Sequence, residues 1–129
     1  VGATAVPVRS LRFGGDGTHL YLRLDPWETP VAAGLAGALV RIRFPGWPDR
    51  TLTAVVPETG ESESGGIRLV ADQVLEIAVP TDRIPGDGDL YRFQVVIETG
   101  SGARQRLPDA GALSIPVGDR QEPEWDWHV

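Results

Sequence analysis

Hydrophobic and polar residues alternate with a period of two in short runs along most of the chain. In the run Thr18–Asp25 (THLYLRLD), three leucines fall on one side of an extended chain, and the other side carries His19, Tyr21, Arg23 and Asp25. Glycine- and proline-containing turns separate such runs, as is typical of short antiparallel strands. The chain has about nine of these runs, at Pro7–Phe13, Thr18–Asp25, Gly37–Phe44, Thr51–Pro57, Gly66–Val70, Val74–Pro80, Leu90–Glu98, Ala103–Leu107 and Ala112–Val117.

This pattern predicts an all-β fold, an antiparallel β-sandwich of about nine short strands with an immunoglobulin-like or jelly-roll-like topology. The best helical candidate is Val31–Ala36, which Pro30 and Gly34 limit to a short turn. We interpret the acidic stretch at 57–66 (PETGESESGG) as a solvated, mobile hairpin tip. The apolar side of the strands supplies the predicted core, which contains Leu22, Val40, Ile42, Leu75, Ile77, Phe93 and Val95.

The length of 129 residues suits one domain with a substantial core, and we assign 1–120 to a single sandwich. The remaining stretch, 121–129 (QEPEWDWHV), contains Trp125 and Trp127. Two exposed indoles favour association, so we expect this tail to dock on the sandwich or on a neighbouring domain. Because the sequence has no methionine, we expect a domain cut from a longer protein or a processed product.

Charge and missing residue types argue against several functions. The net charge of −6 and the isoelectric point near 4.8 argue against binding to nucleic acid or to an anionic membrane surface. No apolar run is long enough for a membrane-spanning helix. The absence of cysteine excludes disulfides, thiolate nucleophiles and cysteine-based metal sites.

The residues that common catalytic mechanisms need are scarce. Only two histidines are present, His19 and His128, and the nucleophile motif G-x-S-x-G is absent. The acidic residues lie in turns and on outward strand faces, and no pair stands out as buried catalytic carboxylates. Asp16, Asp87 and Asp89 lie in glycine-containing turns without a complete calcium loop. We therefore expect a non-catalytic domain with no catalytic residue, no metal and no cofactor.

Aromatic and arginine side chains are the most usable signs of a binding surface. Trp27 ends a predicted strand, and Trp47 lies in the turn PGWP. Exposed indoles can stack on the apolar faces of sugar rings, whereas buried ones would close the ends of the sandwich or an interdomain face. An outward arginine stripe is either a solvated face paired with Glu76, Glu98 and other acids, or a donor face for hydroxyls or a partner carboxylate. The stripe consists of Arg23, Arg41, Arg43, Arg68 and Arg92. The candidate ligand-binding residues are Trp27, Trp47, Tyr21, Arg23 and Arg43.

Three stretches occur together in an order that resembles a known family. They are RFGGDGTHLYLRLD (Arg12–Asp25), VLEIAVPTDRIPGDGDLYRFQVVIETG (Val74–Gly100) and RLPDAGALSIPV (Arg106–Val117). The chain resembles the C-terminal β-sandwich domains of bacterial family 57 glycoside hydrolases, which are α-amylase-like enzymes acting on α-glucans. It is more loosely similar to DOMON-like and family 9 carbohydrate-binding sandwiches. In family 57, the catalytic carboxylates belong to an upstream barrel, so the resemblance assigns no catalytic residue here.

The resemblance implies a non-catalytic accessory domain of an α-glucan-active glycoside hydrolase. Such a domain would bind an α-glucan or oligosaccharide, or would pack against the catalytic domain of the parent protein. The alternative is a structural or interaction module that packs against a catalytic domain or partner protein and has no sugar ligand. The residues alone leave both functions open.

Overall fold

The computed structural model describes residues 6–86 and 90–116. Almost all regular structure in these residues is β-strand, and the helical elements are single turns at Val31–Gly34, Pro48–Arg50 and Thr81–Arg83. The short helix at Val31–Gly34, α1, confirms the predicted turn after Pro30. Ten strands follow one another along the described residues: β1 Val8–Gly15, β2 His19–Pro26, β3 Leu39–Arg43, β4 Leu52–Val55, β5 Gly60–Ser64, β6 Ile67–Ala71, β7 Leu75–Pro80, β8 Leu90–Glu98, β9 Arg104–Leu107 and β10 Leu113–Pro116.

The strands form two antiparallel sheets, which confirms the predicted all-β sandwich. The first sheet has the order β1-β2-β7-β6-β5. In the second sheet, β4 pairs with β3, β3 pairs with β8, and β8 pairs with both β9 and β10. The chain therefore crosses between the sheets after β2, β4 and β7. Pairing β2 with β7 and β3 with β8 gives the strand order of an immunoglobulin-type sandwich rather than a jelly roll.

The core lies between the inner faces of the two sheets. All seven predicted core residues are buried, each with no more than 1% of its surface exposed. Phe13 of β1 and Phe93 of β8 meet edge to face across the core, with ring centroids 5.5 Å apart. Such aromatic pairs add about 0.5–1.5 kcal/mol beyond the area they bury. The period-two pattern therefore identified the inner face of the strands correctly.

Side chains and turns close the two sides of the sandwich, which we call seams. At the first seam, the Gln105 side chain of β9 accepts from the Val8 amide at 2.8 Å and donates to the Val8 carbonyl at 2.9 Å. At the second seam, the Val55 amide of β4 donates to the Ser64 hydroxyl of β5 at 3.1 Å. Edge strands β1 and β5 of the first sheet thus each lie beside an edge strand of the second sheet.

Two local predictions were wrong. The acidic stretch at 57–66 is not a hairpin tip, because Gly60–Ser64 forms β5 and pairs antiparallel with β6. An edge strand needs only backbone pairing on one side, and charged side chains on it discourage pairing with other chains. Asp25 does not project into water either, since it is only 5% exposed. Its carboxylate accepts from the Ser10 hydroxyl at 3.0 Å and from Arg23 Nε at 3.1 Å.

Two further predictions fall on residues that the structure does not describe, namely the turn acids Asp87 and Asp89 and the tail at 121–129. Among the helices of the described residues, none has the length and apolar character that a membrane crossing requires.

Candidate ligand-binding groove

A shallow groove crosses the outer face of the first sheet. Strand register places Tyr21 of β2 and Arg68 of β6 directly opposite Ala78 of β7, one on each side. Adjacent strands are about 4.8 Å apart, so these two long side chains stand about 10 Å apart with only a methyl group between them. The space above Ala78 is therefore open. We call this depression the outer-face groove. It is lined by His19, Tyr21, Glu63, Gly66, Ile67, Arg68, Val70, Glu76, Ile77, Ala78 and Pro80.

The groove consists of two adjoining depressions that share Tyr21, Arg68 and Ala78. Their volumes are about 350 Å³ and about 260 Å³. Together they are large enough for a small oligomeric ligand, because single ligand pockets commonly measure about 300–1,000 Å³.

Two stacked rings form one wall of the groove. The rings of His19 and Tyr21, two residues apart on the outer face of β2, lie 5.7 Å apart between centroids at an interplanar angle of 29°. The Thr18 hydroxyl lies 3.0 Å from His19 Nδ1, and the Tyr21 hydroxyl donates to Asp16 Oδ2 at 3.0 Å. These contacts fix the orientation of both rings, so the wall is organised before any ligand binds.

Asp16 holds the turn from which this wall begins. Its Oδ1 accepts from the Thr18 amide and the His19 amide, both at 3.0 Å, and from the Thr18 hydroxyl at 2.8 Å. Partial burial acts to raise the pKa of Asp16. The hydrogen bonds from Thr18, His19 and Tyr21 outweigh that effect and lower the pKa from 3.8 to about 2.

The pKa of Tyr21, the partner of Asp16 in this hydrogen bond, shifts in the opposite direction, upwards. Burial raises the pKa of Tyr21, and its hydrogen bond to Asp16 and the charge of that carboxylate raise it further. The Tyr21 hydroxyl therefore stays protonated at neutral pH and acts as a hydrogen-bond donor. This contact makes Tyr21 an anchored aromatic surface and not a proton-transfer group.

The opposite wall is polar and solvent-accessible. Arg68 Nη2 lies 2.6 Å from Glu61 Oε2 on the neighbouring β5, and both side chains are more than half exposed. An ion pair this exposed contributes about 1 kcal/mol or less to stability, so a ligand can compete for either partner. Glu76 and Glu63 add exposed carboxylates to the rim. The groove can therefore offer an aromatic face on one side and charged hydrogen-bonding groups on the other.

The five predicted ligand-binding residues do not form one site. Tyr21 lines the groove, and Arg23 lies two residues further along the same strand face, where its Nε bonds to Asp25. Trp27 lies at the end of β2 beside a cleft of about 170 Å³ that also contacts Thr99 and Ser101. Arg43 lines a separate cleft of about 190 Å³ on the second sheet.

Trp27 and Trp47 lie at opposite ends of the sandwich. Trp27 lies near Thr99, which follows the C-terminal end of β8, whereas the Trp47 amide donates to Phe44 just after β3 ends. The end of β3 pairs with Gln94, five residues before Thr99. Five extended residues span about 17 Å, so the two indoles cannot stack on one ligand ring. They are 61% and 41% exposed, so neither indole is buried in the core of the sandwich.

The arginine stripe also divides between the sheets. Arg23 and Arg68 belong to the first sheet, whereas Arg41 and Arg43 of β3 belong to the second. Arg41 forms the expected ion pair with Glu98 on the neighbouring strand. Among the described residues, no group of three or more histidine, cysteine, aspartate or glutamate side chains is arranged to hold a metal ion.

The sequence reasoning missed His19, Arg68, Glu76 and Ala78 as groove residues. Arg68 belongs to the predicted arginine stripe, but its neighbour Ala78 carries no chemical signal of its own. Only the register that sets Ala78 between Tyr21 and Arg68 identifies the groove. No protein-family model matches this sequence, and neither a curated protein nor a solved structure shows significant similarity to it.

Proposed function

We propose that this chain is a non-catalytic accessory domain that binds an oligosaccharide in the outer-face groove, with α-glucan as the ligand class. The observation that carries the proposal is the anchored Tyr21 ring beside an open floor at Ala78 and a charged wall at Arg68. A sugar ring has an apolar C–H face and a rim of hydroxyls. The aromatic wall can stack on the apolar face, and the guanidinium and carboxylate groups can form hydrogen bonds with the hydroxyls.

The choice of α-glucan rests on the resemblance of the three quoted stretches to accessory domains of family 57 glycoside hydrolases. In such an enzyme, the domain would keep substrate near the catalytic domain. An open groove on a sheet face suits that task better than a deep pocket, because a polymer can enter from the side and leave again.

Titration with a maltooligosaccharide series tests the proposal, with calorimetry as the readout. The matched variants are Tyr21→Leu, which removes the ring, and Tyr21→Phe, which keeps the ring and removes only the hydroxyl. We expect Tyr21→Leu to weaken binding roughly tenfold, which corresponds to about 1.4 kcal/mol, and Tyr21→Phe to weaken it much less.

Trp47→Ala is the control, because Trp47 is exposed but does not line the groove. It should leave the affinity unchanged. Loss of binding in Trp47→Ala with wild-type affinity in Tyr21→Leu would move the site to the second sheet. Absence of any α-glucan binding up to millimolar concentration would reject the proposal.

A second candidate function is a module that packs against a catalytic domain or partner protein and binds no sugar. The exposed indole of Trp27 favours it, since Val6 beside it is also 45% exposed and the two residues border the same cleft. Such an apolar patch is typical of an interaction surface. If α-glucans do not bind, and Trp27→Ala weakens association with a catalytic domain supplied in trans, this function replaces the first.

A further inference from the structure

The outer-face groove has an apolar floor as well as its polar wall. Ala78 and Pro80 of β7 form the floor beside the Tyr21 ring, and the half-buried Val70 borders it from β6. The groove is open to solvent in the part of the chain that the structure describes. Its apolar surface is therefore available to side chains that are large, flat and hydrophobic.

The chain leaves the described structure close to this groove. A side-chain carbon placed on Gly15 would lie 3.0 Å from Ile115 Cδ1 and 3.1 Å from the His19 carbonyl oxygen. The end of β10 therefore lies beside the start of β2, where His19 lines the groove. Pro116 is the last described residue of this strand, and thirteen residues follow it in the sequence.

Chain length permits a return to the groove. Ala78 lies two strands in from the edge strand β1, about 10 Å across the sheet, and the sheets are about 10 Å apart. Trp125 comes nine residues after Pro116, which an extended chain can separate by about 30 Å. The path around the edge of β1 to the floor of the groove is therefore shorter than the available chain.

The chemistry of the segment 121–129 matches this surface. Trp125 and Trp127 are two residues apart, so an extended chain presents both indoles on one side. Glu124 and Asp126 fall on the other side of that extended chain, away from the rim carboxylates of Glu63 and Glu76. We propose that the segment 121–129 docks its two tryptophans into the outer-face groove of its own molecule.

Docking at this place would regulate ligand binding, and that consequence rests on the proposed function. A tail seated over Ala78 and Tyr21 covers the surface that a sugar ring would use. The tail and the ligand would then compete, and a ligand would bind more tightly to a chain that lacks the tail.

Tryptophan fluorescence tests the docking without any ligand. In a Trp27→Phe and Trp47→Phe background, only the two tail indoles emit. We expect their emission to lie to the blue of the urea-unfolded protein and to be shielded from iodide. Ala78→Gln fills the floor of the groove without adding charge, and it should raise the iodide quenching constant roughly twofold.

Thr53→Gln is the matched control, because Thr53 is an exposed strand residue on the second sheet. It should leave both emission and quenching unchanged, and far-ultraviolet circular dichroism checks that each variant is folded. The inference is overturned if iodide quenches the tail indoles as strongly as in the unfolded chain, or if Ala78→Gln changes nothing. The inference is also overturned if the tail indoles lose their protection from iodide when the protein is diluted. That result would mean that the tails dock on a second copy of the chain.

A chain ending at Gly118 separates this inference from the proposed function. If both hold, this chain binds maltooligosaccharide several-fold more tightly than the full chain. If the tail indoles are shielded from iodide but no α-glucan binds, the docking is supported and only the proposed function is rejected. Glucan binding with unshielded indoles would reject only the docking.

Discussion

Asp16 shows how one side chain can organise the start of the groove. A single carboxylate holds the Thr18 and His19 amides and the Thr18 and Tyr21 hydroxyls. It therefore shapes the turn between β1 and β2 and also fixes the Tyr21 ring in place. The glycine-rich sequence around Asp16 predicts a turn, but the bond to Tyr21 depends on how the strand leaves that turn.

The lowered pKa of Asp16 leads to a prediction about pH and stability. The pKa of Asp16 is about 2 in the folded state against an ordinary value of 3.8, so the charged carboxylate stabilises the fold. This contribution is complete above about pH 4 and disappears as the pH falls through the folded pKa. Because the group is partly exposed, we expect Asp16→Asn to lower the free energy of unfolding by about 1 kcal/mol at neutral pH.

Urea unfolding of both proteins at a series of pH values measures this effect. All other acids titrate equally in the two proteins, so the difference between them isolates Asp16. The difference should shrink as the pH falls from about 4 to about 2 and vanish only below pH 2. A difference that stays constant over this range would mean that the carboxylate charge does not stabilise the turn.

Asp25 marks the limit of sequence reasoning at the residue scale. Its position on the polar side of β2 was predicted correctly, yet its burial was not. The register irregularity between Val8 and Ser10 of β1 brings Ser10 opposite Asp25, where the hydroxyl bonds to the carboxylate. Alternation along one strand cannot show which side chain a bulge in the next strand will supply.

At the scale of elements, apolar alternation predicted nine of the ten strands in the described residues. The exception is β5, whose sequence GESES contains no apolar residue. Its strand conformation comes from backbone pairing with β6, which a hydrophobic pattern does not reveal. Strands that contribute side chains to the core can thus be predicted from hydrophobic alternation, whereas an edge strand without core contacts cannot.

Ile77 provides the test of the core at this scale. It is 1% exposed, lies on β7 at the centre of the first sheet, and pairs with Leu22 on β2 and Leu69 on β6. Replacing a buried isoleucine by alanine leaves a cavity, so we expect Ile77→Ala to lower the free energy of unfolding by about 2–5 kcal/mol. Chemical denaturation of the wild type and the variant measures this change in the free energy of unfolding.

The neighbouring residue provides the control for this substitution. Glu76 is exposed on the same strand, and Glu76→Ala should change stability by about 0.5 kcal/mol or less. A larger loss in Glu76→Ala than in Ile77→Ala would mean that the inner and outer faces of β7 are exchanged.

At the scale of the whole molecule, strand order decides which residues can form a site. Trp27 follows the end of β2 and Trp47 lies in the turn after β3, and the sandwich places these two indoles at opposite ends. Conversely, Tyr21 and Arg68 are distant in sequence and border one groove. The sequence supplied the chemical character of these side chains, while their grouping required the register across β2, β7 and β6.

The two seams allow a prediction about how the sheets are joined. Gln105 bonds twice to the Val8 backbone at the first seam, and Gln105→Ala should cost about 1–3 kcal/mol because it leaves those groups unpaired. At the second seam, Gly65 has a φ of +62°, and an added side-chain carbon would lie 1.9 Å from the Thr53 carbonyl oxygen. Gly65→Ala should therefore be destabilising by about 2 kcal/mol or more, since backbone must move and the left-handed conformation is strained.

The seams lie on opposite sides of the sandwich, separated by the width of a sheet, which is about 15–20 Å. Substitutions this far apart without shared partners are additive within about 0.5 kcal/mol. The double variant Gln105→Ala and Gly65→Ala should therefore lose the sum of the two single losses in urea unfolding. Gly100→Ala is the control for the glycine substitution, because an added carbon there meets nothing within 4 Å. A coupling well above 1 kcal/mol would show that opening one side of the sandwich loosens the other, so that the two sheets respond as one unit rather than through independent seams.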